Sequence, residues 1–142
     1  MSKVSGLGSV VAVDDSGGTP RTISNDITNY SFAMPRGVQD ITGVDKSAKE
    51  ELLLLADFSI TMNGVFNAST ANQAHDVFKT IPSTSVVRTV TLSPNGTTSG
   101  LPKLPNECIL SDYQITRAND GSLVWQVPGQ LADGTVPTWT TN

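Results

Sequence analysis

The chain has 142 residues, enough for one domain with a modest core, and its 37% hydrophobic and 15% charged residues leave the balance to Ser, Thr, Asn and 12 glycines. A formal net charge of -4, a pI near 4.7 and nine scattered basic residues exclude a surface built to grip nucleic acid. One cysteine, Cys108, excludes an intramolecular disulfide, and no apolar run approaches the roughly 18 to 20 residues that span a bilayer.

The start, "MSKVSGLGSVVAVDD", is too short and glycine-broken in its apolar part for a secretory signal, and Asp14 and Asp15 follow at once. Residues 1–20 read as an arm or ragged edge strand ending in the flexible Gly17-Gly18 turn. "TISNDITNYSFAM" and "GVQDITGV" give weak strand signals, broken by Pro35 and Gly37. "DKSAKEELLLL" predicts a short helix, with Asp45 or Ser47 as cap and Ser47 with Glu50 at capping-box spacing. That helix should run into "LLLLADFSITMNGVFN". There Ala56, Phe58, Ile60 and Met62 fall on one parity and Asp57, Ser59, Thr61 and Asn63 on the other, a strand with one dry and one wet face.

"NASTANQAHDVFKTIPS" predicts the principal helix, capped by Ser69 or Thr70, with Ala71, Ala74, Phe78 and Ile81 in one stripe and Pro82 ending it. "SVVRTVTLS" is a strand with Pro94-Asn95-Gly96 as its turn, and "TTSGLPKLPN" reads as an irregular loop with two prolines. "ECILSDYQIT" and "SLVWQVPG" flank "RANDG", whose Asn119-Asp120-Gly121 supplies the positive-φ positions of a hairpin turn. Residues 129–142 read as a tail with Gly134 and Pro137. The whole is a single domain, mainly β: a β-sandwich or partly closed barrel with one flanking α-helix and a short second helix.

No catalytic constellation survives inspection. His75, the only histidine, has no nucleophile or metal partner nearby in sequence and reads as a helix-surface or interface residue. Cys108 reads as a small buried hydrophobe, since no base or helix N-terminus adjoins it. One His and one Cys cannot build a zinc cluster, and Asp14-Asp15 and "ANDG" lack calcium-loop spacing. Glu50-Glu51 suits a solvated first helical turn better than acid–base work, and "GLG" and "SGG" lack the strand–glycine–helix context of a phosphate loop. Trp125, alternating with Leu123 and Val127, reads as core. Trp139, in a polar tail, reads as an anchor onto another chain.

Taken together, "LLLLADFSITMNGVFN", "AHDVFKTI", "RTVTL", "ECILSDYQITRANDGSLVWQVPG" and "LADGTVPTW", in this order between Ile41 and Trp139, resemble the major tail tube proteins of long-tailed (siphovirus-like) bacteriophages. The resemblance implies a structural virion protein with no enzymatic activity, cofactor or metal. It would be assembled in the host bacterial cytoplasm and located in the tail of the virion. It further implies a homo-oligomer of six copies per ring, with rings stacked head to tail and inner sheets joined around a lumen through which phage DNA passes without specific binding. Tape-measure, tail terminator and tail tip proteins would be the other partners, and no membrane is involved. The motif set is more similar to the non-contractile kind of tail.

Physical reading and resemblance meet at the wall of the tube, where acidic or small neutral side chains hold phosphate weakly, and the bore is expected to be an electronegative conduit for DNA ejection into the host. The face of Asp57, Ser59, Thr61 and Asn63 is the first candidate for the lumen, and Asp112, Gln114 and Thr116 are the rival face. Val10, Val11, Val13, Pro35, Val38, Ile41, Val136 and Trp139, in the N-terminal arm, the Pro35–Asp45 loop and the C-terminal tail, are expected to bridge subunits. On that reading, removing residues 1–13 leaves a folded monomer that cannot polymerise. The competing expectation is a monomeric carbohydrate-binding or adhesin-type β-sandwich with an aromatic platform.

Overall fold

Alternation decides where the core lies. Phe58, Ile60 and Met62 are buried while Ser59, Thr61 and Asn63 face outward, as a two-residue period requires. The computed structural model describes residues 3–68 and 73–142. In chain order the strands are β1 (Val10–Asp14), β2 (Pro20–Thr22), β3 (Ile27–Ala33), β4 (Arg36–Asp40), β5 (Glu51–Ala56), β6 (Ser59–Val65), β7 (Arg88–Ser93), β8 (Pro102–Leu110), β9 (Gln114–Arg117), β10 (Leu123–Leu131) and β11 (Thr140–Thr141). One helix, α1 (Ala74–Phe78), lies between β6 and β7, and a 3-10 turn at Ser24–Asp26 joins β2 to β3.

Nine strands form one antiparallel sheet, in the order β2-β1-β7-β8-β10-β6-β3, with β11 added on β8 and β9 on β10. Its β1–β7 half and its β6–β10 half send side chains into one cluster, with Val11, Val13, Val90 and Leu92 from the first and Phe58, Met62, Trp125 and Val127 from the second. The sheet therefore rolls around its core as a partly closed barrel, mainly β with one short helix. Each large side chain so buried contributes about 1.5–3 kcal/mol.

A helix of five residues has no independent stability. Here the sheet holds it at both ends. At its start the buried Asp26 carboxylate, 48 residues away, accepts the Ala74 N–H at 2.8 Å and the Asn67 amide at 2.9 Å. At its end the buried Arg88 guanidinium donates to the Val77 carbonyl at 2.7 Å, the Thr80 hydroxyl at 2.9 Å and the Asp14 carbonyl at 3.1 Å. Burial pulls the Arg88 pKa down, and the charges of Asp15 and Asp14 pull it back. The signs match the helix dipole. Replacing Asp26 with Ala takes the acceptor from the buried Ala74 N–H at the start of α1 and should lower unfolding free energy by about 2 kcal/mol. Urea denaturation checks this, and an unchanged midpoint contradicts it.

The structure corrects several expectations. "DKSAKEELLLL" forms no helix: Glu51–Ala56 is strand β5, paired with β4 in a separate two-stranded sheet. The Ser47–Glu50 box is replaced by hairpin bonds, with Ile41 N–H donating to the Glu50 carbonyl at 2.9 Å and Glu50 N–H to the Thr42 hydroxyl at 2.8 Å. A helix of about three turns is marginal alone, and here the backbone pairs with β4 instead. The Leu52–Asn67 stretch breaks at Asp57-Phe58 into β5 and β6.

The predicted Pro-rich loop is the start of β8, tolerated because Pro102 is its first residue and Pro105 lies where β8 has a strand, β7, on one side only. The principal helix is shorter than its sequence stripe. Ser69, Thr70 and Ala71 lie outside the described residues, while Ala74 and Phe78 are buried and Ile81 packs against the core.

The N-terminal arm is corrected too. β1 lies inside the sheet between β2 and β7, and Val11 and Val13 are fully buried in this chain's own core. Val10 is half-buried. Removing residues 1–13 would strip the core, so it cannot leave a folded monomer.

Candidate functional site

The sheet segment β3-β6-β10-β9 presents one outward face, and cross-strand register sorts its side chains into rows. Asn29, Asn63, Gln126 and Gln114 stand side by side across all four strands, a row of amides, with Asn63 Nδ2 donating to Asn29 Oδ1 at 2.8 Å. One row along are Ser31, Thr61 and Pro128, and beyond them Ala33, Ser59 and Gln130. On the other side of the amides come Val65, Val124 and Thr116.

The two rival faces of the sequence reading are thus largely one surface. Ser59, Thr61 and Asn63 belong to it, and so do Gln114 and Thr116. The carboxylates do not share those rows. Asp57 sits exposed where the β4–β5 hairpin leaves the sheet, its N–H on the Pro35 carbonyl at 2.9 Å and its Oδ1 on the Phe58 N–H at 2.7 Å. Asp112 lies exposed in the bend between β8 and β9. Within its strands the face carries no ionisable side chain, so it is neutral and hydrogen-bonding rather than electronegative. The sequence alternation showed polarity of single strands, but only register shows that the rows are amides, hydroxyls and a few apolar side chains, with no charge among them.

The second feature is the β4–β5 hairpin. Leu52 to Leu55, Val38, Ile41 and Val44 are all exposed, Leu55 at 89% and Val44 at 109%. Register puts Leu53 and Leu55 with Val38 on one face of the hairpin and Leu52 and Leu54 on the other, so both faces carry exposed apolar side chains. The hairpin extends the β3–β6 pair past the end of the main sheet. Pro35 is exposed at its base, and Val38 and Ile41 lie along it. Sequence reasoning found β4 and its connecting loop but missed the leucine strand, whose signal was four consecutive apolar residues without helical period.

Of the tail residues, Val136 is 62% exposed and Trp139 43%. Trp139 packs on Phe32 of its own chain, ring centroids 6.1 Å apart, and borders an apolar cleft with Val4, Pro94 and Pro102. β11 then pairs with the start of β8, so the tail is tied back onto the domain.

The side chains that could do chemistry are quiet. Cys108 is buried, and burial first, then the charges of Glu107 and Asp133, push its thiol up to about 12. His75 meets the Tyr113 hydroxyl at 3.1 Å and packs on Phe66, and burial pushes the Tyr113 phenol up to about 12 as well. Among the described residues no group of three or more His, Cys, Asp and Glu could hold a metal, and no helix is long and apolar enough to cross a membrane. Trp125 is core, 1% exposed, with its indole N–H on the Val65 carbonyl at 3.1 Å.

A single rolled antiparallel sheet with one helix and a protruding hairpin defines the tail tube fold, and the chain has it over essentially its whole length. It superposes on a subunit from the tail of an empty gene transfer agent particle, determined with C6 symmetry, at TM-score 0.74 and 12% identity, covering 99% of both chains. It is similar to a chain of the six-fold symmetrised anti-feeding prophage baseplate at TM-score 0.66 and 12% identity, covering 99% of this chain and 96% of that one. It is similar also to the SPP1 tail tube protein at TM-score 0.69 and 6% identity, over 99% and 80%. No family model matches the chain, and no curated protein matches it by sequence.

Proposed function

We propose that this protein is the structural subunit of a virion tail tube, a non-enzymatic component that works by binding copies of itself. Six copies close a ring, rings stack head to tail, and DNA passes through the bore into the host. The observation that carries this reading is the pairing, in a chain with the tail tube fold, of a neutral polar sheet face with a large apolar hairpin projecting from the end of that same sheet.

The β3-β6-β10-β9 face is the lining of the bore. Four strands from each of six copies make a barrel of 24 strands. At about 4.8 Å between strands and a tilt near 40°, its backbone diameter is on the order of 50 Å, and side chains reduce the bore to roughly 40 Å. Amides and hydroxyls on such a wall offer phosphate no cationic partner, so DNA slides without being held. Asp57, at the rim of the face, adds repulsion there.

The β4–β5 hairpin, with Pro35, Val38 and Ile41, bridges to another copy, and Val136 and Trp139 extend the contact surface. A hairpin seated on a different surface of the next copy makes a heterologous contact, the kind that can stack rings into an open-ended tube. Tape-measure, terminator and tip proteins are its partners at the lumen and the ends. Trp125 lies in the core, so it supplies no part of a sugar platform, and Trp139 packs on Phe32 of its own chain. Negative-stain microscopy of concentrated pure protein tests the proposal. Six-fold rings or hollow tubes are expected, and a field of monomers across salt and pH, with or without the other virion proteins, contradicts it.

A further inference from the structure

Between the end of β10 and β11 the chain stands off from β8 and leaves a cavity of about 230 Å³, whose lining includes Pro105, Asn106, Glu107 and Asp133. Two paired positions frame it. The Ala132 N–H donates to the Glu107 carbonyl at 3.0 Å, and Thr140 stands opposite Lys103 where β11 pairs. In an antiparallel ladder alternate residues turn their backbone groups to the same edge. Pro105, midway between Lys103 and Glu107, therefore aims its carbonyl at the gap, and a proline brings no N–H beside it.

Two carboxylates meet at the same place. Glu107 Oε1 accepts the Thr89 hydroxyl, and Asp133 Oδ1 accepts the Thr135 N–H at 3.0 Å, which leaves one oxygen on each. Among the described residues neither acid is in an ion pair, and no Lys or Arg lines the cavity. Burial, and then the charges of Glu107 and Asp133, raise the Cys108 pKa, so both carboxylates act on one point of β8.

Two acids alone make no site. The second observation is Asn106. It is 5% exposed and lines this cavity, and its Nδ2 has no hydrogen-bond partner among the described residues. A buried amide left unpaired is costly, and most find a partner. The two ends of an amide are told apart only by what they bond, so this one is free to present its oxygen to the cavity.

We infer that the cavity is a calcium site, in which the Pro105 carbonyl, the Asn106 amide oxygen and one carboxylate oxygen each from Glu107 and Asp133 hold the ion. Calcium takes roughly six to eight oxygens in flexible geometry, and carbonyl, amide and carboxylate together suit it better than magnesium, which demands a regular octahedron. Waters, at about 30 Å³ each, have room to complete the shell. The ion ties the segment carrying Val136 and Trp139 to β8, between the two pairings that already hold it. With only two carboxylates the affinity belongs with extracellular calcium modules, at about 10⁻⁴–10⁻³ M. The site does not depend on the tail tube reading, because the chain's own melting reports it.

Thermal melting and isothermal titration calorimetry of the full chain with calcium chloride test it. At about 10 mM calcium the melting temperature should rise by roughly 4 °C or more, and a chelator should reverse the rise. Calorimetry should count one ion per chain. Magnesium at the same concentration should give less than half the shift. The double variant Glu107→Gln, Asp133→Asn keeps an acceptor for Thr89 and for Thr135, so it should melt like wild type without calcium and lose the calcium shift. Absence of a calcium shift in the wild type overturns the inference. So does an equal shift from magnesium, or one that survives in the double variant, either of which would mark general screening of an acidic surface. If the double variant folds poorly, the comparison of the two ions on wild type decides.

Discussion

Replacing Arg36–Ala56 with a short Gly-Ser connector should give a protein that folds like the wild type and forms no tubes. The excision is structurally mild. Asp57 N–H already meets the Pro35 carbonyl at 2.9 Å, and Ala33 stands opposite Ser59, so the ends to be joined are adjacent and the β3–β6 pair survives. Among the described residues the removed strands pair only with each other. None of their residues belongs to the buried cluster. What is lost is the exposed apolar surface on the two faces of the hairpin. A gentler version, Leu53→Asp with Leu55→Asp, forfeits about 1.5–3 kcal/mol for each leucine that the contact would bury and should weaken association by roughly 100-fold or more. Circular dichroism and thermal melting check the fold, and sedimentation checks assembly. Normal tubes from the excised protein would show that the hairpin is not an assembly element.

Gly64→Ala should be the most damaging single substitution to the fold itself. A Cβ there would stand 1.9 Å from the Asp26 carbonyl oxygen and 2.6 Å from Cζ2 of Trp125. Neither obstacle can swing away. The first is backbone in the 3-10 turn whose side chain holds α1, and the second is an indole packed against Phe78 with its N–H fixed on the Val65 carbonyl. Overpacking against mobile side chains costs about 1–3 kcal/mol, and here β6 must leave either the turn or Trp125, so the cost should exceed about 3 kcal/mol. For a domain of this size the melting temperature falls by roughly 10 °C or more. A melt within about 2 °C of wild type would mean that β6 has slack the packing denies.

The hairpin prediction falls where the sequence speaks least clearly, and the reason is physical. Period-two alternation in "DFSITMNGV" revealed β6 and its dry face, because that pattern depends only on one strand meeting one core. "RANDG" revealed its hairpin because the turn is local, with Gly121 at φ 95° and Asp120 accepting the Ser122 N–H at 3.0 Å. Trp125 and Cys108 were readable as core from their strand positions. The leucine strand was not, since Leu52–Leu55 has neither period and carries a capping-box sequence in front of it. Its partner is β4, and pairing of that kind leaves no local mark.

The same holds for the candidate lining. Ser59, Thr61 and Asn63 were visible as a wet face, but their union with Gln114 and Thr116 through β10 is a fact of register. So is the absence of carboxylates from the rows. Asp57 and Asp112 share parity with those residues and leave the surface only because the strands end beside them. Val11 and Val13 were read as an arm for want of a nearby partner, and their partners, Val90 and Leu92 on β7, lie about 80 residues away in sequence.

A helical reconstruction of the assembled protein by electron cryomicroscopy tests the central claim most directly. The account predicts six-fold rings whose bore is walled by the row of Asn29, Asn63, Gln126 and Gln114, with the β4–β5 hairpin seated on another copy. A tube whose bore is walled by other strands, with that amide row on its outer surface, would contradict it.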